Sequence, residues 1–157
     1  MKNLFLFFPL FFLMACSQDN ENNSRENLLQ AEKFLASNLN NTAVVEIESG
    51  LQYIVLESSE SSRVPNLDST ITADFHGTLM DGSVFWSSID NGEPLTIILS
   101  QLIPGCQKAI SMMSEGDSWR VFIHPNMAYG EEGRPEIPPN SLLIFDIKLH
   151  KIAKDAV

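Results

Sequence analysis

Five segments of the chain carry strand patterns, and in most of them apolar and polar residues alternate with the period of two typical of half-buried β-strands. They lie at residues 46–56, 70–76, 94–99, 119–123 and 143–149. Asp81-Gly82 adds a strong hairpin signal after the second segment, because both residues tolerate positive φ. The pattern therefore predicts an antiparallel sheet of about five strands.

Two segments carry helical spacing. The first covers residues 23–40; it begins at Asn23 or Ser24, with Glu26 completing a capping-box-like pair, and places Leu28, Ala31, Leu35 and Leu39 on one stripe. The second follows Pro104-Gly105, places Cys106, Ile110 and Met113 on one face and is predicted to end at Gly116. A sheet wrapped around one short helix, preceded by an N-terminal helix, predicts an α+β fold.

The stripe of the N-terminal helix needs a partner. An isolated helix of this length is marginal in water, which favours packing against its own domain, although a dimer contact stays open. We therefore expect a monomer or a weak dimer.

The first residues have the pattern of an export signal. Lys2 precedes an apolar run, Leu4 to Leu13, that is too short to span a bilayer, which predicts a signal peptide over residues 1–15. The run ends in Leu-Met-Ala-Cys, which resembles a bacterial lipobox and implies a lipid-modified Cys16 followed by a polar, structureless tether over residues 16–22. An ordinary signal peptide with an incidental cysteine is the alternative. Because Ser17 rather than an aspartate follows Cys16, the resemblance to bacterial lipoproteins implies an outer-membrane protein of a Gram-negative bacterium, facing the periplasm or the surface.

Length and net charge limit the number of domains and the kinds of partner that the rest of the chain can have. The 157 residues less the signal leave one ordinary domain, predicted at residues 41–154. The formal net charge of −10 becomes −11 once Lys2 is removed, so nucleic acid is excluded as a partner and anionic lipid would repel the domain. Membrane attachment therefore depends on the lipid anchor at Cys16. With Cys16 modified, Cys106 is a lone thiol and no internal disulfide is expected.

The usual catalytic signatures are missing from the sequence. His76, His124 and His150 are scattered without metal-ligand spacing, so no metal site is expected. There is no Gly-x-Ser-x-Gly elbow, phosphate loop or dinucleotide fingerprint, and no cofactor is expected. A Ser-His-Asp triad stays open on the sequence, as does a reaction that needs no nucleophile, metal or cofactor.

The most informative segment lies between the last two predicted strands. Residues 129–140 combine a tyrosine hydroxyl, two glycines and three prolines, which predicts a rigid surface loop suited to a ligand. Ala128-Tyr129-Gly130 and Ile137-Pro138-Pro139 resemble the corresponding loop of the FKBP-type peptidyl-prolyl isomerases. Residues 74–88 and Leu102 to Gly105 resemble three further motifs of that family in the same order, so the resemblance covers about residues 50–150. The segment from Gly50 to Tyr53, after a polar helix, resembles more narrowly the bacterial macrophage-infectivity-potentiator group.

The resemblance implies a pocket for an X-Pro segment of a polypeptide client. The residues that match catalytic positions are Tyr129, Ile103 and Phe85, and those that match substrate-binding positions are Phe75, Trp86, Leu95, Leu102, Cys106, Ile137 and Phe145. It implies that the Tyr129 hydroxyl and the Ile103 N–H donate to substrate carbonyls. By pattern alone, Phe85, Ile103 and Phe145 could equally be core residues.

Four of these positions depart from the family. Phe75 replaces a tyrosine, Trp86 its aspartate partner, Cys106 the tryptophan floor and Leu95 a wall phenylalanine. Losing both members of a polar pair can be nearly neutral for the fold, but we expect a reshaped pocket and weakened activity. Two alternatives to a folding-assisting isomerase therefore stay open: a binding module or chaperone for proline-containing segments, and a structural envelope lipoprotein.

Overall fold

The structure is a computed structural model that describes residues 15–153, with the side chains of residues 15–20 outside the description. This part of the chain contains three α-helices and seven strands. In order they are α1 (Ala15–Asn38), β1 (Val45–Glu48), β2 (Leu51–Glu57), β3 (Thr70–Thr78), β4 (Val84–Ser87), α2 (Ser88–Asn91), β5 (Leu95–Ile98), α3 (Pro104–Ile110), β6 (Ser118–Ile123) and β7 (Leu143–Ile152). The predicted α+β class is confirmed.

The seven strands form one antiparallel sheet. Its order is β1-β2-β6-β7-β3-β4, and β5 also pairs with β3. The last strand, β7, therefore lies between β6 and β3, with Phe145 opposite both Val121 and Gly77. Inward-facing residues alternate along β3, where Ile71, Ala73 and Phe75 are buried.

Helix α3 packs on the inner face of this sheet. Cys106, Ala109 and Ile110 join the buried cluster formed by the strands. The contact is close, because a Cβ added to Gly105 would lie 2.4 Å from Cγ2 of Ile123 on β6. Burial of this face against the sheet, rather than length, must stabilise a helix of two turns.

Helix α1 packs on the outer face of the same sheet. Ala31 and Leu35 are buried against Phe122 of β6 and Leu142, and the Phe34 and Phe122 rings lie 5.6 Å apart. Gln52 of β2 is also buried there, and its side-chain amide donates to the Leu35 carbonyl at 3.0 Å. The helix thus packs on its own domain, as the sequence favoured.

Several predicted boundaries were wrong. The predicted strand at 46–56 is two strands, because Gly50 adopts φ +86° and turns β1 back on β2. Helix α1 spans Ala15–Asn38, so the predicted helix start at Asn23 was wrong and the predicted tether at 16–22 is helical. Helix α3 ends at Ile110, not at Gly116, although Met113 beyond it is buried.

The predicted signal peptide lies almost entirely outside the described residues, which begin at Ala15. Between residues 15 and 153, no helix has both the length and the apolar composition that crossing a bilayer requires.

Candidate active site

An apolar cavity of about 620 Å³ opens between β3, β4, the start of α3 and the loop formed by residues 129–140, called here the Tyr129 loop. Its walls are formed by Phe75, Phe85, Trp86, Leu95, Gln101, Leu102, Ile103, Cys106, Ala128, Tyr129, Arg134, Pro135, Ile137 and Phe145. All ten residues predicted as site residues are among them. The structure thus places together residues that lie up to 70 positions apart in the chain, from Phe75 to Phe145.

Four aromatic rings form one side of the cavity. Phe145 meets both Phe85 and Phe75 edge to face, and the Phe75 and Trp86 rings lie 6.2 Å apart at an angle of 59°. The two departures from the family's polar pair, Phe75 and Trp86, therefore form an aromatic pair. Trp86 is 37% exposed, so its ring lies at the opening rather than in the core.

Two serines hold the segment that carries Phe85 and Trp86. The Ser87 hydroxyl accepts from the Asp90 N–H at 3.1 Å and caps α2. The buried Ser88 hydroxyl accepts from the Phe75 N–H at 3.0 Å and donates to Asp74 at 2.9 Å. In the segment Phe85-Trp86-Ser87-Ser88, the two serines thus hold the two cavity residues that precede them.

Asp74 is held on its other side by a histidine. Its second carboxylate oxygen lies 2.6 Å from Nε2 of His150 on β7. Partial burial acts to raise the pKa of Asp74, but the hydrogen bonds from His150 and Ser88 outweigh it and leave that pKa below its usual value. The carboxylate therefore stays ionised near neutral pH and keeps accepting from Ser88.

Cys106 forms the floor of the cavity. Its side chain is 2% exposed, and burial raises the pKa of the thiol to about 12. A thiol with that pKa is protonated at neutral pH and is a poor nucleophile. The floor is therefore small and apolar, without a reactive group.

Two hydrogen-bond donors on the cavity wall are free. Within residues 15–153, neither the Tyr129 hydroxyl nor the Ile103 N–H has a hydrogen-bond partner. Ile103 is extended (φ −63°, ψ 151°) and precedes Pro104, the first residue of α3, so the helix itself does not use its N–H. A ligand carbonyl can therefore accept from either group without breaking an existing bond.

The Tyr129 loop has a framework of its own. The Gly133 N–H donates to the Tyr129 carbonyl at 3.1 Å, and Arg134 and Ile137 exchange both backbone hydrogen bonds. Gly133 has φ +63°, and a Cβ there would lie 2.5 Å from the Ile137 carbonyl, so only glycine fits. The rigidity predicted from the glycines and prolines is thus supplied by short backbone contacts.

The structure adds residues that the sequence did not single out as site residues. Gln101 and Pro135 line the cavity, and the Arg134 guanidinium carbon lies 4.7 Å from the centre of the Tyr129 ring. This stacking of Arg134 on the tyrosine ring could have been suspected from the sequence only through the spacing of the two residues along the loop. Among the described residues, no group of three or more His, Cys, Asp or Glu side chains could hold a metal ion.

Comparison with known proteins identifies the family. The FKBP-type peptidyl-prolyl cis-trans isomerase family matches residues 61–150, more than half of the chain. The chain is a member of the FKBP family. The domain found amino-terminal to such isomerases matches residues 11–55, which include all of α1.

Individual FKBP relatives are similar along most of the chain. Outer membrane protein MIP of Legionella longbeachae is 35% identical over 99% of this chain and 67% of its own length. The isomerase FkpA of Aeromonas hydrophila is 40% identical over 83% of this chain and 48% of its own length. Mip of Chlamydia pneumoniae is 41% identical over 87% of this chain and 52% of its own length. The chain therefore spans about half the length of these two FKBP relatives.

The crystal structure of FkpA from Escherichia coli superposes with a TM-score of 0.83 and 30% identity, covering 88% of this chain and 65% of that one. The crystal structure of AtFKBP13 gives a TM-score of 0.66 and 30% identity, covering 70% of this chain and 98% of that one. The chain thus shares its fold with solved FKBP structures.

Proposed function

We propose that the chain is a peptidyl-prolyl cis-trans isomerase that acts on X-Pro bonds of polypeptide clients. The observation that carries this proposal is the apolar cavity, whose wall offers two free donors, the Tyr129 hydroxyl and the Ile103 N–H. The names of the FKBP relatives agree with it.

The cavity can lower the barrier to rotation without bond making. Rotation about a peptide bond costs about 18–20 kcal/mol because resonance gives the C–N bond double-bond character. An apolar cavity removes the water that stabilises the planar, polar amide, and its aromatic walls suit the pyrrolidine ring. Twisting moves the carbonyl oxygen, so a donor placed where that oxygen lies in the twisted amide, and not in the planar one, favours the transition state over the ground state.

The two donors have separable roles. The Ile103 N–H is fixed at the start of α3 and orients the client backbone. The Tyr129 hydroxyl can rotate and follow a carbonyl during isomerisation. Each 1.36 kcal/mol of differential stabilisation gives about tenfold in rate, so one such hydrogen bond contributes about one order of magnitude.

The first test is isomerisation of a proline peptide series by the full chain, kept in solution with a mild detergent, beside Tyr129→Phe. We expect acceleration over the uncatalysed reaction and a loss of about tenfold in kcat/KM in the variant. Tyr53→Phe is the matched control, because Tyr53 stacks on Trp119 at 4.0 Å, away from the cavity. A folded chain that binds the peptides but does not accelerate isomerisation would favour the binding-module alternative, and one that binds none would favour the structural one.

We also propose that the protein is an outer-membrane lipoprotein anchored through Cys16. The proposal is supported by the Leu-Met-Ala-Cys sequence and by the name of the Legionella relative. Metabolic labelling with palmitate should label the chain and not Cys16→Ser, and the labelled protein should sediment with outer membranes. Equal labelling of the variant would contradict the anchor.

A further inference from the structure

The two ends of the Tyr129 loop meet beside the tyrosine. The N–H of Asn140, at the end of the loop, donates to the Gly130 carbonyl at 2.7 Å, and the Gly130 N–H donates to the Pro125 carbonyl at 2.9 Å. Gly130 directly follows Tyr129 in the chain. The position of Asn140 is therefore transmitted to the tyrosine through one hydrogen bond and one peptide unit.

Asn140 has an uncommon backbone conformation. It adopts φ +56°, in the left-handed region, and its side chain is 6% exposed. Asparagine tolerates this region better than most residues, but the conformation still needs support from its surroundings. The internal hydrogen bonds of the loop involve only the Asn140 backbone, so the support for its side chain lies elsewhere.

That support comes from the N-terminal helix. The Asn140 side-chain amide donates to the Ser24 hydroxyl oxygen at 2.9 Å and lies 3.4 Å from the Ser24 carbonyl. One turn further along α1, the Asn27 amide donates to the carbonyl of Pro139 at 2.9 Å. Residues three apart on a helix share a face, so Ser24 and Asn27 hold two consecutive loop residues from the same side.

Helix α1 is itself fixed. Ala31 and Leu35 are buried against Phe122 and Leu142, and Leu142 lies two residues beyond Asn140. The helix thus contacts the chain on both sides of the loop end. If the loop end were free, the cavity wall that carries Tyr129 could move. Because α1 holds the loop end, that wall stays in place.

We infer that Ser24 and Asn27 of the N-terminal helix are positioning residues for the Tyr129 loop, so that docking of α1 on the outer face of the sheet sets the geometry of the cavity on its other side. The consequence for catalysis rests on the proposed function; the consequence for the loop does not. The helix is then a working part of the site and not only a connection to whatever precedes it.

The test uses the full chain and the double variant Ser24→Ala/Asn27→Ala. Both changes raise intrinsic helix propensity, so α1 itself is not weakened by them. Gln30→Ala is the matched control, because the Gln30 amide bonds only Glu26 on the exposed side of the same helix. Ser24→Thr keeps a hydroxyl, and Asn27→Asp keeps the shape but replaces the donor by an acceptor.

The first readout is amide hydrogen exchange. We expect protection of the Gly133, Ile137 and Asn140 amides to fall by about tenfold or more in the double variant, with amides of β6 and β7 unchanged. Asn27→Asp should lose protection, whereas Ser24→Thr and Gln30→Ala should retain it. Unchanged exchange of the loop amides in the double variant would overturn the inference.

The second readout is isomerisation of a proline peptide. If the unsubstituted chain is active, kcat/KM should fall by about tenfold in the double variant, whereas the single variant Ser24→Thr should retain the kcat/KM of the parent. Faster amide exchange in the Tyr129 loop with no change in kcat/KM would overturn the inference that α1 affects catalysis. An inactive parent chain would remove the proposed function, and the exchange experiment would still decide whether α1 positions the loop.

Discussion

Phe85 and Phe145 meet edge to face across Gly77, with ring centroids 5.4 Å apart and planes at 89°. A Cβ added to Gly77 would lie 2.6 Å from the Phe85 ring and 2.9 Å from Phe145. The missing side chain at residue 77 is thus what lets the two rings approach and form one wall of the cavity.

Gly77→Ala should therefore displace Phe85 into the cavity. We expect a loss of about 1–3 kcal/mol in the free energy of unfolding, the usual cost of overpacking, together with a lower kcat/KM toward proline peptides. Gly82→Ala is the control: its φ of +84° costs about 1 kcal/mol, but the added Cβ meets nothing within 4 Å. Chemical denaturation and peptide kinetics of both variants check this; equal kinetic losses in the two would contradict a role for the Phe85 position.

Acid should weaken the fold through Asp74. Its pKa is lower in the folded chain than in the unfolded one, so the folded state binds fewer protons. That contribution to stability is complete above the unfolded pKa of about 3.9 and is lost as pH falls through the folded pKa. Denaturant unfolding of Asp74→Asn should accordingly show a shallower fall in stability below about pH 4 than the parent chain.

The control for Asp74 is Asp68→Asn. Asp68 is exposed, and its carboxylate accepts no hydrogen bond from any residue between 15 and 153. This variant should keep the acid sensitivity of the parent. If both variants follow the parent curve, the Asp74–His150 pair does not contribute to acid stability.

Cys106 should be inert in the folded protein. With a pKa of about 12 and a buried side chain, its thiolate is almost absent at pH 8 and reagents cannot reach it. In a Cys16→Ser chain, which isolates Cys106, a thiol reagent should label only as fast as the protein opens, and denaturant should make labelling complete. Rapid labelling of the native chain would show that the cavity floor opens.

Cys106→Trp should restore an aromatic floor. The family resemblance implies a tryptophan at this position, and the cavity of about 620 Å³ offers space beside the residue. We expect affinity for a proline peptide to rise by about tenfold, roughly the effect of one added aromatic contact. Cys106→Ala, which adds no ring, should bind like the parent. A stable, folded tryptophan variant with weaker binding would mean that the added ring fills space that the proline ring needs.

The sequence grouped the residues that line the cavity better than it placed the bounds of the surrounding helices and strands. Motifs such as the Tyr129 loop carry local constraints, so their residues could be placed by resemblance although they lie far apart in the chain. The split at Gly50 could not be placed because the predicted strand alternates on both sides of the turn. The bonds from Ser24 and Asn27 join residues more than 110 positions apart, and no local pattern encodes such a contact.

The position of β7 in the sheet affects when the protein can fold during its synthesis. Because the last strand lies between β6 and β3, the sheet remains in two separate parts until residues 143–152 are available. Pairing of such distant segments raises the contact order and slows folding, typically to milliseconds or seconds. The cavity therefore cannot form before residues 143–152 have left the ribosome; until then, this member of a family of folding catalysts is itself an incompletely folded chain.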